Sequence, residues 1–100
     1  MISLGLDIGS VSAKLAAVGD EEDWALVEGI DLYSETFSLV QETVSIRGGR
    51  RPILISAYRR IKGEPTRTVF GLLDEMLRLI PPKRIMGIRT TGSGGAAVGR

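Results

Sequence analysis

Residues 2–18 constrain the chain more than any other stretch. Ile2, Leu4, Leu6 and Ile8 alternate with Ser3, Gly5 and Asp7, the period of a strand with one buried face. Gly9 and Ser10 break the alternation, and Val11–Val18 reads as a second strand. A tight turn of small residues at the end of a buried strand lets backbone N–H groups point at an anion. Asp7 stands at the mouth of this turn, Ser10 and Ser12 add hydroxyls, and Lys14 adds a positive charge. A carboxylate can hold a hydrated Mg²⁺ while amides, hydroxyls and a lysine hold phosphate oxygens. The same residues also suit an ordinary hairpin with a polar tip, because Asp, Gly and Ser are common turn residues.

The remaining elements follow from periodicity and punctuation. Gly19–Asp23 is a charged turn, and residues 24–46 read as one hairpin-like extension. Trp24, Val27 and Ile30 also fit a helical stripe, but Gly29 counts against a helix and the Thr and Val content of 36–46 favours strand. Ile53–Ile61 reads as one continuous strand whose outer end, Tyr58–Lys62, is basic. The clearest helix starts at Pro65, a residue suited to the first helical position. Val69, Leu72, Leu73, Met76, Leu77 and Ile80 recur along one side of it, and Pro81 and Pro82 end it. Arg84–Thr90 reads as a last strand. A strand, a crossover helix and a further strand predict a parallel pair. The expected architecture is therefore α/β: a mixed sheet of three antiparallel strands, then a crossover helix and a parallel strand.

Composition narrows the chemistry. The chain has 100 residues, one small domain's worth, with no cysteine and no histidine. It offers no disulfide framework, no thiolate metal site and no imidazole base. Chemistry must run on carboxylates, hydroxyls, Lys, Arg and backbone amides. No apolar run approaches the ~20 residues of a membrane span, and no signal peptide is evident, so the cytoplasm is the expected location. Charge is divided along the chain: residues 1–46 hold nine acids and one base, residues 47–100 three acids and twelve bases. This division predicts that the two halves attract each other. A basic face for a polyanion is the other account, resting on Arg47, Arg50, Arg51, Arg59, Arg60 and Lys62. Tyr58 is the lone aromatic among them, so base stacking is poorly served and nucleic acid is not the expected partner.

A second glycine cluster, Thr90–Arg100, follows the last strand directly. Thr91, Gly92, Ser93, Gly94 and Gly95 would let backbone approach a ligand beyond the carboxyl end of a parallel strand. No lysine follows at the place a GxxxxGK[ST] loop requires, and the match to GxGxxG is poor. A flexible glycine-rich tail is the alternative.

Taken together these motifs resemble a family. LGLDIGSVSAKLAAV looks like the first phosphate motif of the actin, sugar-kinase and chaperone ATPase superfamily. The whole phrase is most similar to the activases of 2-hydroxyacyl-CoA dehydratases and benzoyl-CoA reductases. YRRIKGEPTRTVFGLLDEML resembles their strand-to-helix passage, and GIRTTGSGGAAVGR their TGSG turn. The resemblance covers residues 1–20 and 58–100; residues 21–57 have no counterpart and read as an insertion. It implies a ribonuclease H-like sheet forming the first lobe of an actin-like ATPase. It implies that Asp7 helps hold the Mg²⁺ of ATP, that Gly9, Ser10 and Ser12 line the phosphate turn, and that Lys14 approaches the phosphates. It places Thr91, Gly92, Ser93 and Gly94 across the cleft mouth. Proteins of this family are homodimers sharing one [4Fe–4S] cluster, and they couple ATP hydrolysis to delivery of a low-potential electron to a dehydratase or reductase partner. This chain departs in having no cysteine, no second Asp–x–Gly turn and no second lobe. On that account the 100-residue chain is the first subdomain, inactive as an ATPase by itself. A sugar or small-acid kinase of the same superfamily would share Asp7 and the first glycine turn. A noncatalytic binding module with a basic face is the reading from another class.

Overall fold

The computed structural model describes residues 1–40, 45–46 and 49–91. Strands β1 (Ile2–Ile8) and β2 (Ser12–Val18) form the expected hairpin, with Asp7 opposite Lys14 and Ile8 opposite Ala13. Helix α1 (Trp24–Tyr33) and the short strand β3 (Phe37–Leu39) follow. A two-stranded ribbon, β4 (Ser45–Ile46) with β5 (Gly49–Arg50), precedes β6 (Ile53–Ser56) and β7 (Arg59–Arg60). Helix α2 (Pro65–Leu79) then carries the chain across to β8 (Ile85–Thr91). The main sheet has six strands. Its order is β3–β6–β2–β1–β8, and β7 also pairs with β2. β1 and β8 are parallel, and the other pairs are antiparallel.

The period-two pattern of β1 decides which face is buried. Ile2, Leu4, Leu6 and Ile8 join Ala13, Leu15, Ala17 and Leu54 in one core with Val69, Leu72, Met76 and Ile80 of the α2 segment. Val27 and Ile30 of α1 enter the same core, so both helices lie on one face of the sheet. Directly opposed residues on paired strands share a face. Ser3, Gly5 and Asp7 therefore lie on the other face, with Val18, Ala16 and Lys14 beside them. Among the described residues no helix covers this second face.

Three expectations are corrected by the structure. Residues 24–33 are a helix, not the first arm of a hairpin-like extension. Burial of Val27 and Ile30 outweighs the propensity cost of Gly29, roughly 1 kcal/mol. Among the described residues of 36–46 the strands are β3 and β4, and 41–44 lie outside the described residues. The strand expected over Ile53–Ile61 is broken in two. β6 pairs with β2 as Ala16 opposite Ile55, whereas β7 pairs as Ala13 opposite Arg59, so one extra residue intervenes. This bulge puts Arg59 on the helix-bearing face, where it bonds Glu75 of α2 at 2.7 Å. The segment read as an insertion supplies Val27, Ile30, Phe37 and Leu54 to the core. Its backbone is also tied in at the edge, since Trp24 Nε1 donates to the Arg50 carbonyl at 3.0 Å.

The strands' lower end is locked by Asp23, which is fully buried. It accepts the Asp20 amide at 2.8 Å and pairs with Arg84 and with the Met1 ammonium. Burial alone would push its carboxyl up, but the Asp20 amide, Arg84 and the Met1 ammonium together hold it below the usual aspartate range. Gly19 is needed beside it. A Cβ there would lie 2.8 Å from the Asp23 Cβ and 3.2 Å from Pro52. The Asp20–Arg51 and Asp23–Arg84 pairs join the acidic and basic halves of the chain as the charge division predicts.

Two outcomes follow from this packing. Phe37 is 1% exposed, so Phe37→Ala should cost about 3–5 kcal/mol. Denaturant melting checks it, and a loss below about 0.5 kcal/mol would mean that β3 adds nothing to the core. Asp23 has a depressed folded pKa, so its contribution is complete above the unfolded value of about 3.9 and is lost as pH falls through the lower folded value. Thermal melts in the acid range should therefore show a steep loss of stability below pH ~4. Asp23→Asn should be less stable at neutral pH and should flatten that acid limb.

Candidate functional site

The candidate site lies where β1 ends. The two-residue hairpin loop is closed by the Gly9 amide donating to the Ser12 carbonyl at 2.8 Å. Register places Lys14 on one side of Asp7 and Thr91 on the other. The three side chains thus form a row across β2, β1 and β8 on the face that carries no helix. Thr91 Oγ1 donates to the Leu6 carbonyl at 3.3 Å, which pins the end of β8 against β1. This row stands at the carboxyl end of the sheet's parallel pair, the place where open α/β sheets present ligand sites.

Within the row, Asp7 is exposed and, among the described residues, its carboxylate has neither an ion pair nor a hydrogen bond. Lys14 is half-buried and its ammonium lies 5.0 Å from the centroid of the Tyr58 ring. Ser10 is exposed and Ser12 is half-buried. An exposed carboxylate, a lysine and two hydroxyls around one turn suit a hydrated divalent cation with a phosphate group. The described part of the sequence-derived set, Asp7, Gly9, Ser10, Ser12, Lys14 and Thr91, is therefore gathered in one place. Gly92, Ser93 and Gly94 lie outside the described residues.

Two contributors went unread in the sequence. Arg60 sits opposite Ser12 on the same face as Asp7, and Tyr58 holds Lys14. Both depend on the bulge between β6 and β7. At the bulge Ser56 is 2% exposed and accepts the Leu15 amide on its Oγ at 2.9 Å. At this point the strand pairing is interrupted, and the hydroxyl stands in for a backbone carbonyl. Beyond the bulge the Ile61 amide donates to the Val11 carbonyl at 2.8 Å, so the chain hugs the hairpin tip before turning into α2. The turn uses Gly63 at φ +87°, a backbone conformation that side chains disfavour. The basic end of the old strand was the only sequence signal for these contacts.

Other clusters are structural. Asp20, Glu22 and Asp23 bring three carboxylates within 4.8 Å of one another. The Met1 ammonium and Arg84 already occupy this cluster, with Met1 2.6 Å from Glu22. Arg59 pairs with Glu75, Arg51 pairs with Asp20, and Arg60 alone of these three lies beside the hairpin tip on the Asp7 face. No described helix is long and apolar enough to cross a membrane.

Ser56→Ala should leave the buried Leu15 amide without its acceptor and cost about 1–3 kcal/mol. Hydrogen exchange should show the Leu15 amide losing protection while the β1–β8 amides keep theirs. Unchanged protection at Leu15 would mean that the hydroxyl does not hold the bulge.

In comparisons with family models, curated proteins and solved structures, the chain matches none.

Proposed function

We propose that this chain is the first lobe of an actin-like ATPase of the activase type, and that the Lys14–Asp7–Thr91 row with the Gly9–Ser12 turn is its half of an Mg·ATP site. The observation that carries the reading is the row itself, a carboxylate without a partner among the described residues, flanked by a lysine and a threonine at the end of a parallel strand pair. The strand order β6–β2–β1–β8, with the first three antiparallel and the last parallel, is compatible with a ribonuclease H-like sheet. Asp7 and Lys14 belong to the first of the three motifs that resemble activases, and Thr91 belongs to the last.

Mg²⁺ is commonly held through one or two carboxylates, with waters and phosphate oxygens completing its shell. Asp7 fits that role because it is exposed and has no competing cation among the described residues. The Ser10 and Ser12 hydroxyls would bond phosphate oxygens, and Lys14 would leave the Tyr58 ring to meet the phosphate charge. The metal's contribution is to neutralise phosphate charge. A [4Fe–4S] cluster does not fit this chain, which has no cysteine to ligate it. Any cluster, the adenosine pocket and the second phosphate turn would have to come from a second lobe. In the activase reading the assembly works in the cytoplasm, and its partner is a CoA-ester dehydratase or reductase.

Half a site should bind weakly. Removing half the contacts of a micromolar site leaves roughly millimolar affinity, since ~4 kcal/mol separates the two. NMR titration of the chain with Mg·ATP should shift the amides of Gly9–Lys14 and Thr91, with no turnover of ATP. The magnesium-dependent part of those shifts should vanish in Asp7→Asn. Shifts centred elsewhere, or undiminished in Asp7→Asn, would overturn the assignment.

A further inference from the structure

Arg59 and Arg60 are neighbours in the chain with opposite surroundings. Arg59 lies on the helix-bearing face and bonds Glu75 at 2.7 Å. Arg60 is exposed on the Asp7 face and, among the described residues, has neither an ion pair nor a hydrogen bond from its side chain. Exposed arginines are common. Arg60 differs from most in what its backbone is fixed against. Arg59 pairs with Ala13, Arg60 pairs with Ser12, and the Ile61 amide donates to the Val11 carbonyl at 2.8 Å. The guanidinium is thus carried on backbone that is tied to the hairpin tip at three successive residues. A side chain on a fixed strand positions its charge better than one on a loop.

Ser12 stands between two cations. Side chains directly opposed on antiparallel strands have Cβ atoms about 4.5–5.5 Å apart, so Arg60 can reach whatever the Ser12 hydroxyl binds. Lys14 lies on the same face, two residues or about 7 Å along β2 from Ser12. Asp7 is opposite Lys14, yet among the described residues neither cation pairs with it. By contrast Arg51, Arg59, Arg78 and Arg84 each have a carboxylate partner. Beside the turn, opposite charges share a face without neutralising one another.

We infer that Arg60 is a phosphate-binding residue, which with Lys14 clamps one phosphate group of a polyphosphate chain over the Ser12 hydroxyl. The two cations play different parts. Lysine offers a point charge, whereas the planar guanidinium presents a fork that takes two oxygens of one phosphate. The site then has two separable arms: Asp7 serves the metal, and Arg60 with Lys14 and Ser12 grips the anion whether or not a metal is bound. This inference rests on the nucleotide reading for the identity of the anion, but the clamp itself requires neither Mg²⁺ nor adenosine.

Inorganic tripolyphosphate in metal-free buffer at fixed ionic strength is the probe, read by NMR titration of the chain. It should shift the amides of Gly9–Lys14 and of Arg60. Arg60→Gln should weaken this binding about tenfold, the scale of one lost charge-assisted hydrogen bond. Arg60→Lys keeps the charge without the fork and should recover only part of the loss. Arg78→Gln removes the same charge from the exposed side of α2 and should bind as the unaltered chain does. Far-UV circular dichroism and cooperative melting check that each variant is folded. Undiminished binding by folded Arg60→Gln overturns the proposal. So does an equal loss in Arg78→Gln, which would make the attraction one of net charge, or tripolyphosphate that shifts no amide of the turn. The nucleotide reading fails separately, through the magnesium-dependent shifts with ATP. If those are absent while tripolyphosphate binds through Arg60, the clamp stands and the nucleotide does not.

Discussion

The alternation along β1 is the constraint on which the other elements depend. Burying Ile2, Leu4, Leu6 and Ile8 contributes about 1.5–3 kcal/mol each. A one-residue slip in register would turn all four to the opposite face at once. The loss, about 6–12 kcal/mol, matches the whole stability of a typical domain. Register on both sides of β1 is thereby fixed. Asp7 owes its position to this arrangement: its neighbours Leu6 and Ile8 must be inside, so it must be outside, between Lys14 and Thr91. Hydrophobic burial aims the carboxylate, with no direct bond to it.

Charge plays a smaller and uneven part. The Asp20–Arg51 pair spans 3.5 Å with both side chains about two-fifths exposed. Water screens such a pair, and its worth is below about 1 kcal/mol. Arg78 and Asp74, one helical turn apart on α2 and more exposed still, add less than that. Asp23 differs because no water reaches it. Removing its cationic partner would strand a buried charge, at a cost of about 3–5 kcal/mol. The division of acids and bases between the chain halves therefore matters through one buried carboxylate, which joins the start of β1 to the entry of β8.

Legibility in the sequence followed the strength of each local period. β1, β2, α2 and β8 declare themselves through period two or through a long apolar stripe ended by prolines. α1 was obscured because Glu28 and Gly29 sit among its apolar residues, and a ten-residue helix has few turns over which to repeat. Its burial comes from contact with distant strands, which no local window contains. The bulge after Ser56 is a different kind of blindness. One inserted residue leaves the composition of Ile53–Ile61 unchanged but reverses the faces of Arg59 and Arg60. Only the pairing with β2 reveals it. The candidate site was half legible for the same reason. Asp7, Ser10, Ser12 and Lys14 share one hairpin and Thr91 opens the second glycine cluster, whereas Tyr58 and Arg60 reach the site through sheet topology.

The placement of Lys14 shows how the two halves of the site interact. Its ammonium has two attractions on the open face, the Tyr58 ring and the Asp7 carboxylate. At an exposed position a cation–π contact is worth about 0.5–1 kcal/mol, and an ion pair in water at 4 Å about 1 kcal/mol. Neither holds a flexible four-carbon chain firmly against its rotamer entropy, up to about 2 kcal/mol. The observed contact is with the ring, and among the described residues Asp7 has no ion pair. A hydrogen bond from an ammonium to a phosphate contributes about 1.5–3 kcal/mol, so on the proposed nucleotide reading a bound anion would outcompete the ring for Lys14. The Tyr58 ring thus takes the lysine contact, and the bulge between β6 and β7 positions that ring. A defect at Ser56, some distance from the turn, would be felt at the site through the position of Lys14.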